Sequence, residues 1–315
     1  MTSTHNSSAH PTVPNSSGGE RPKLKAPANA ADCHIHIYDP RFQPPVAKPS
    51  NATVDDYRLL QKRIGVTRVV IVQPRNYATD NSVTVDAIRR LGIDNARGVA
   101  VVRPTVTDVE LKTLNDGGIR GIRFTVANPQ TAVVSVDMIE PLAKRIAGLG
   151  WHVQLNMPAE QIVEHADMLR RLPTQIVFDH MGQLPLPAGL EHPAYGVIRS
   201  LVDKGRAWVK ISGAYLNTKI GPPTYADATT IAQAYVKAAP DLRSARNVGA
   251  GGGDAQSHSR GESGSPLRFS EVGLIVFTGL FCSSSWIGFA RKLTDNPAQH
   301  APKSRSSRAG TRRQA

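Results

Sequence analysis

Two histidines separated by a single residue, His34 and His36, are the residues whose spacing points most directly to chemistry. They lie in an apolar run, residues 30–38, that predicts a buried strand. Side chains two positions apart on a strand face the same way, so the two imidazoles should project together, with Cys33 and Ile35 opposite. Such a pair can hold a metal ion or direct two hydrogen-bonding groups at one substrate. For these two residues alone, a purely structural pair is an equally good interpretation.

A third histidine, His180, follows a short apolar run and Asp179 near the end of a later predicted strand. Taken alone, it favours a hydrogen-bonded core residue. Placed on the same rim as the first two histidines, it favours a joint site. Because Asp179 alternates with His180 along the chain, we expect Asp179 to face the helices and to be structural.

Arg123 is a charged residue inside an apolar predicted strand, and a buried arginine requires an anionic partner. That partner is either a substrate carboxylate or an internal acid. Gln154 either lines the pocket or is a simple end-of-strand amide. Gln73 and Tyr77, just after another predicted strand, are expected to contact substrate. Cys33 is expected to be a core residue.

Short apolar strands alternate with helical segments seven times between about residues 30 and 240. This alternation predicts an α/β fold with parallel strands. Seven strand–helix units with an eighth expected predict a TIM-like (β/α)8 barrel. The catalytic groups of such barrels lie at the carboxyl ends of the strands. A doubly wound open sheet is the alternative, although no glycine-rich phosphate loop follows the first strand. The candidate groups all fall at predicted strand ends: His34, His36, Gln73, Arg123, Gln154, His180 and Ser212.

The bulk composition limits the class of protein. The chain has 315 residues and only two cysteines, which provide no disulfide framework and indicate a reducing, cytoplasmic compartment. Residues 1–28 are polar, lack the apolar segment of a secretory signal and predict a disordered leader. The net charge is +13, of which residues 242–315 carry 11 − 4 = +7. The most basic part of this region is residues 305–313, where no aromatic residues interleave with the charges, so we expect a solvated tail without nucleic-acid binding.

Four stretches taken together resemble the amidohydrolase-related family of barrel hydrolases, in particular its lactone-acting branch. They are residues 32–40, 121–124, 177–182 and 208–215, and the resemblance extends over about residues 30–240.

The resemblance implies hydrolysis or isomerisation of a lactone, such as a sugar-acid lactone or a pyrone dicarboxylate. It implies that His34, His36 and His180 polarise the carbonyl or bind one divalent metal such as zinc, and that Arg123 holds a substrate carboxylate. The lactone branch also works without metal, so the metal requirement stays open. The expected partner is a small lactone or carboxylate.

The chain departs from the family pattern after residue 241. The family ends its eighth strand with an aspartate that takes the proton of water, whereas here the β-branched run is missing and Asp254 is the only nearby candidate. We therefore expect domains at 29–241 and, as an aberrant region, 242–315, with the eighth strand missing or degenerate. One hypothesis is that residues 242–287 are read out of frame.

A barrel without its last strand leaves unpaired edges, so we expect an unstable or inactive chain. A disabled barrel that binds a sugar acid is the alternative function, and an uncharged run, 272–290, makes a membrane-attached remnant a further one.

Overall fold

The computed structural model describes Ala26 and residues 30–45, 51–128, 130–221 and 224–238. Seven strands alternate with helices along these residues. The strands are β1 Ala31–Ile35, β2 Arg68–Val72, β3 Ala96–Ala100, β4 Ile119–Thr125, β5 His152–Asn156, β6 Ile176–Phe178 and β7 Ala207–Val209. The helices are α1 Val54–Ile64, α2 Ser82–Leu91, α3 Asp108–Asp116, α4 Ile139–Ala147, α5 Ala159–Glu164, α6 Ala166–Arg171, α7 Pro193–Asp203, α8 Ala214–Asn217 and α9 Ala226–Ala238.

The seven strands form one parallel sheet in the order β1-β2-β3-β4-β5-β6-β7. Each strand pairs with the next along the chain, which is barrel topology rather than the doubly wound order. The sheet curls into a partial barrel, so the predicted fold class is confirmed. The described residues end with α9, so the region of the eighth strand lies outside them. The proposed leader, residues 1–28, is almost entirely outside the described residues, as are region 242–315 and its hypothetical frame change, and the domain boundaries stay predictions.

Local sequence explains where the helices begin and end. Thr53 caps α1 by accepting a hydrogen bond from the Asp56 amide, and the Asp56 carboxylate accepts one from the Thr53 amide in return. Gly65 ends the helix with a φ of 75°, a left-handed conformation that glycine adopts without steric cost. A second capping box, Thr107 with Glu110, begins α3. These caps set the length of each helix and so the position of the strand that follows.

The main apolar core lies between the sheet and the surrounding helices. Ile71, Phe124, Leu155 and Phe178 are almost fully buried there. A smaller cluster of Val70, Val72 and Val99 occupies the inner face of the sheet, because these residues alternate with the outward-facing ones. In the part of the chain that is described, no helix has the length and apolarity needed to cross a membrane. The uncharged run 272–290 lies outside that part.

Gly121 on β4 makes room for the buried ring of His152 on β5. A Cβ atom at position 121 would lie 2.4 Å from His152 Cε1, well inside van der Waals contact. We expect Gly121→Ala to lower the free energy of unfolding by about 1–3 kcal/mol, because the ring must move within a packed interior. Urea denaturation of Gly121→Ala, His152→Ala and the double variant measures this.

In the His152→Ala background, adding Gly121→Ala should change the free energy of unfolding little, since the ring that caused the clash is gone. Gly196→Ala is the matched control: it lies within α7, and no atom lies within 4 Å of the new methyl group. It should be neutral or stabilising by about 0.5–1 kcal/mol, because alanine favours the helix. Additive losses in the double variant would contradict the role of Gly121.

Candidate active site

A β-bulge on β1 positions the histidine pair. Asp32 pairs with Val69 and Ile35 pairs with Ile71. The segment of β1 between these pairs is therefore one residue longer than the segment of β2. The extra residue breaks the strict alternation of side chains. Cys33 therefore packs on the inner-face valines, and the prediction that it points away from the histidines was wrong. Bulges next to active sites commonly re-aim a side chain, and this one brings His34 to the inner face.

The three predicted histidines do come together. The ring centroid of His34 is 5.1 Å from that of His36 and 5.0 Å from that of His180. Nδ1 of His36 is 2.8 Å from the Val72 carbonyl oxygen, which only accepts, so this nitrogen carries the proton and Nε2 is left as an acceptor. His180 Nδ1 and the Ser212 hydroxyl share a hydrogen bond of 2.9 Å.

A left-handed turn after β6 places His180. Four consecutive residues have positive φ: His180, Met181, Gly182 and Gln183. Left-handed residues other than glycine cost about 1–3 kcal/mol each and cluster at functional sites. This turn breaks the strand before His180, so Asp179 faces the interior together with the histidine. The prediction that Asp179 faces the helices was therefore wrong, because it assumed that the extended strand continued.

Asp179 is the centre of the site. Its Oδ2 accepts hydrogen bonds of 3.0 Å from Arg123 Nε and 3.1 Å from Gln154 Nε2, and Arg123 Nη2 also lies at 3.0 Å. Its Oδ1 accepts a bond of 2.9 Å from Gln154 and lies 3.5 Å from Lys210 Nζ. Lys210 in turn donates to Gln154 Oε1 at 2.8 Å. The internal acid, one of the two partners considered for Arg123, is thus present, and Gln154 is part of the buried network.

Two cations keep this buried carboxylate ionised. Burial alone would raise the pKa of Asp179, but the charges of Lys210 and Arg123 outweigh it and lower the pKa to about 2. Burial lowers the pKa of Lys210, against the opposing charge of Asp179. The site therefore holds one negative and two positive charges in fixed positions, a preorganised arrangement that stabilises developing negative charge.

All three histidines are neutral at physiological pH. Burial, then the charges of Lys210 and Arg123, lower the pKa of His34 well below its usual value. Burial and Arg123 lower the pKa of His36 to about 4, and burial lowers that of His180. Neutral imidazoles beside fixed cations can accept a proton or donate a hydrogen bond without adding charge.

Asp32 anchors the bulge from the helix side. Its Oδ1 accepts a hydrogen bond of 3.3 Å from the His34 amide, and its Oδ2 accepts one of 3.3 Å from the Tyr57 hydroxyl. Burial raises the pKa of Asp32 to about 7. This residue connects α1 to the position of His34.

The structure places Gln73 and Tyr77 beside the network rather than in it. Gln73 donates to the Asp80 carbonyl oxygen at 2.6 Å and accepts from Thr84 Oγ1 at 2.6 Å. The Tyr77 hydroxyl donates to the Asp39 carbonyl oxygen at 3.3 Å. Both residues are buried. A shallow cavity on the same rim is lined by Gln73, Arg75, Ala78, Val101, Thr125, Val133 and Val134. Contact of Gln73 and Tyr77 with substrate stays a prediction, and Asp254 lies outside the described residues.

Lys210 was missed as a site residue, although the signal that identified Arg123 was also present for it. Lys210 follows the apolar residues Trp208 and Val209, and a charged residue next to a buried strand requires a partner. In the structure it is 5% exposed and belongs to the Asp179 network. Ser212, two residues later, had been placed on the rim and does contact His180.

Three of the described residues could hold a metal ion: His34, Asp179 and His180, whose ligand atoms all lie within 4.8 Å of one another. His36 is next to this group rather than in it. Two nitrogens and one oxygen are a donor set that suits zinc. Nδ1 of His34 is buried and has no hydrogen-bond partner among the described residues, as expected of a free ligand atom.

The charges around this donor set do not fit a metal. A carboxylate has about four acceptor sites, and those of Asp179 are directed at Arg123, Gln154 and Lys210. A divalent ion bound there would also lie beside two fixed cations, which repel it. The described residues thus contain the ligands of a metal site, but the positive charges of Arg123 and Lys210 already neutralise its carboxylate.

Comparison with known proteins bears on this geometry. A family model described as amidohydrolase matches residues 31–248. The chain is 32% identical over 234 residues to 2-pyrone-4,6-dicarboxylate hydrolase of Comamonas testosteroni, covering 70% of this chain and 76% of that protein. It is 25% identical over 231 residues to D-galactarolactone isomerase of Agrobacterium fabrum, covering 71% and 77%.

A solved structure agrees with these relatives. The crystal structure of a probable 2-pyrone-4,6-dicarboxylic acid hydrolase from Acinetobacter baumannii, with citric acid bound, superposes with a TM-score of 0.56. The sequences are 27% identical, and the match covers 67% of this chain and 78% of the other. These findings confirm the resemblance carried by the sequence motifs. The chain belongs to the amidohydrolase family and is an enzyme of the amidohydrolase superfamily.

Proposed function

We propose that this enzyme hydrolyses or isomerises the lactone of a small organic acid. The observation that carries the proposal is the set of three neutral histidines grouped around a carboxylate that two cations hold ionised. A lactone carbonyl needs donors for the oxyanion that develops and a base for the attacking water. The relatives named as a pyrone dicarboxylate hydrolase and a galactarolactone isomerase support a lactone as the substrate class.

We assign the base role to His36 among the described residues. Its tautomer is fixed by the Val72 carbonyl, so Nε2 can take the proton of water. Asp254, the other candidate, stays a prediction. His36 is neutral above about pH 4, because burial and Arg123 lower its pKa. The rate should therefore be flat with respect to this residue from about pH 5 upward and fall as pH drops through about 4.

We assign stabilisation of the oxyanion to His180 and Arg123. When Ser212 donates its hydroxyl proton to His180 Nδ1, the Nε2–H of that ring remains as a donor to the carbonyl oxygen. Arg123 uses Nε and Nη2 on Asp179, and a guanidinium has five N–H donors in all. We assign the remaining donors to the substrate, either to the oxyanion or to a carboxylate.

We also propose that the reaction proceeds without a resident metal. The crowding of Asp179 by two cations supports this, as described above. A cytoplasmic location, absence of nucleic-acid binding and a small carboxylate substrate complete the proposal. The location rests on the two cysteines, and the absence of nucleic-acid binding rests on the lack of aromatics among the charges of residues 305–313. The carboxylate substrate rests on the cations of the site.

A lactone panel tests the proposal. The full chain is assayed on 2-pyrone-4,6-dicarboxylate, galactarolactones and simple five- and six-membered lactones, with and without a metal chelator. We expect turnover of at least one lactone, unchanged by the chelator, and a loss of about 100-fold or more in His36→Ala. His165→Ala, a histidine between α5 and α6 and remote from the site, is the matched control and should keep full activity.

Each negative result has a separate meaning. Binding of a lactone acid without turnover of any lactone would support the disabled barrel instead. Turnover that survives in His36→Ala would remove the assigned base. Turnover that disappears with the chelator and returns with zinc would show that the reaction uses a metal.

A further inference from the structure

We infer that Lys210 is a positioning residue that takes the place of a metal ion: its ammonium group pairs with the Asp179 oxygen that lies nearest to His34 and keeps divalent cations out of a cluster that otherwise has their ligands. The inference rests on the active site proposed above, but not on which lactone is the substrate. It concerns a binding property, so it can be measured separately from turnover.

Lys210 pairs with the same carboxylate oxygen that a metal ion would need. Nδ1 of His34 and Nζ of Lys210 each lie 3.5 Å from the same oxygen, Oδ1 of Asp179. A zinc ion bound to both His34 and Asp179 would be about 2.0–2.2 Å from each ligand atom. It would therefore compete with the lysine for Oδ1, because the other carboxylate oxygen is engaged by Arg123 and Gln154.

The unpartnered nitrogen of His34 is a ready ligand for an ion. Buried polar atoms without a hydrogen-bond partner are uncommon and costly. Nδ1 of His34 is such an atom within the described residues. An imidazole nitrogen with a free lone pair can bind an ion, so His34 can supply one ligand of the site that the loss of the Lys210 charge should uncover.

Lys210 is also held firmly enough to act as a fixed cation. Its side chain is almost fully buried, and Nζ donates to Gln154 Oε1 at 2.8 Å. The same Gln154 donates to both oxygens of Asp179 through Nε2. The amide therefore links the lysine and the carboxylate into one unit. Removal of the ammonium group takes away one partner of Oδ1 and lowers the positive charge of the site by one.

Zinc binding by the full chain tests the inference. Zn²⁺ is titrated by calorimetry into the wild type, Lys210→Met, Lys210→Gln and the surface control Lys204→Met. We expect Lys210→Met and Lys210→Gln to bind one zinc ion at least about 100-fold more tightly than the wild type, because a fixed charge next to the ion has been removed. Lys204→Met should behave as the wild type, and adding His34→Ala to Lys210→Met should abolish the new site.

Two results would overturn the inference. One is zinc affinity in folded Lys210→Met or Lys210→Gln that is within a few-fold of the wild type. The other is tight, one-to-one zinc binding by the wild type that His34→Ala removes, a measurement that needs no lysine variant to fold. Failure of the lactone panel would leave both zinc measurements intact, so the two proposals fail independently.

Discussion

Replacement of Asp179 by asparagine is expected to reduce kcat/KM on a lactone by about 100- to 1,000-fold. The free energy of unfolding should fall by about 3–5 kcal/mol, because two buried cations lose their counter-ion. The asparagine has the same shape but presents an amide NH2 to groups that themselves donate, Arg123 and Lys210. Steady-state kinetics and urea denaturation at neutral pH measure the two effects.

The pH dependence of the free energy of unfolding tests whether the negative charge of Asp179 is what stabilises the fold. The pKa of Asp179 is lowered from 3.8 to about 2, so the folded state holds the ionised form more strongly than the unfolded state does. Its contribution to stability is complete above about pH 4 and is lost as pH falls through about 2. The stability difference between wild type and Asp179→Asn should therefore be constant above pH 4 and shrink below it.

Asp203→Asn is the matched control for this substitution. Asp203 pairs with Arg199 on the surface of α7, at 2.7 Å, and exposed pairs of this kind contribute less than about 1 kcal/mol. The control should retain full activity and nearly full stability. Full turnover by Asp179→Asn would show that the carboxylate is not needed for the chemistry.

Replacement of His180 by asparagine is expected to reduce kcat/KM by about 100- to 1,000-fold, the usual effect of removing one oxyanion donor. Asparagine tolerates the left-handed backbone found at this position, where φ is 52°. The fold should therefore survive, and the loss should appear mainly in kcat, because the donor acts on charge that develops only in the transition state.

The control for His180 is His165→Asn, on the helix layer. Circular dichroism and melting temperature should be close to wild type in both variants, whereas only His180→Asn should lose turnover. A variant at 180 that raises KM and leaves kcat unchanged would assign His180 to ground-state binding of the substrate instead. A variant that fails to fold can be replaced by Ser212→Ala, which removes the hydroxyl that orients the ring.

The strand order and the rim of polar residues could be predicted because they follow from local patterns. The alternation of short apolar runs with capped helices, such as α1 after Thr53, determines which elements exist. Parallel pairing then brings the carboxyl ends of the strands to one side. These patterns were enough to group His34, His36 and His180 on one rim from the sequence alone.

Two features broke the rule of alternation, and both lie in the site. The bulge on β1 brings Cys33 and His34 to the same side of the sheet, and the left-handed turn after β6 redirects Asp179. Neither has a sequence signal as strong as periodicity, since a bulge depends on pairing with β2 and the turn contains only one glycine. Lys210 was missed for a different reason: it lies just past the end of β7, where a lysine is usually exposed.

The left-handed turn after β6 restricts the evolution of this enzyme. At Gly182, φ is 69°, and a Cβ atom would come within 2.2 Å of Ile198 Cδ1, so any other residue would be strained and would have to displace that side chain. Its neighbours His180, Met181 and Gln183 exclude β-branched side chains, because these are strongly disfavoured at positive φ. New substrate preferences cannot readily arise by mutation of this segment. Selection for altered specificity should instead favour changes at exposed rim residues such as Arg75, which is not among the residues with positive φ.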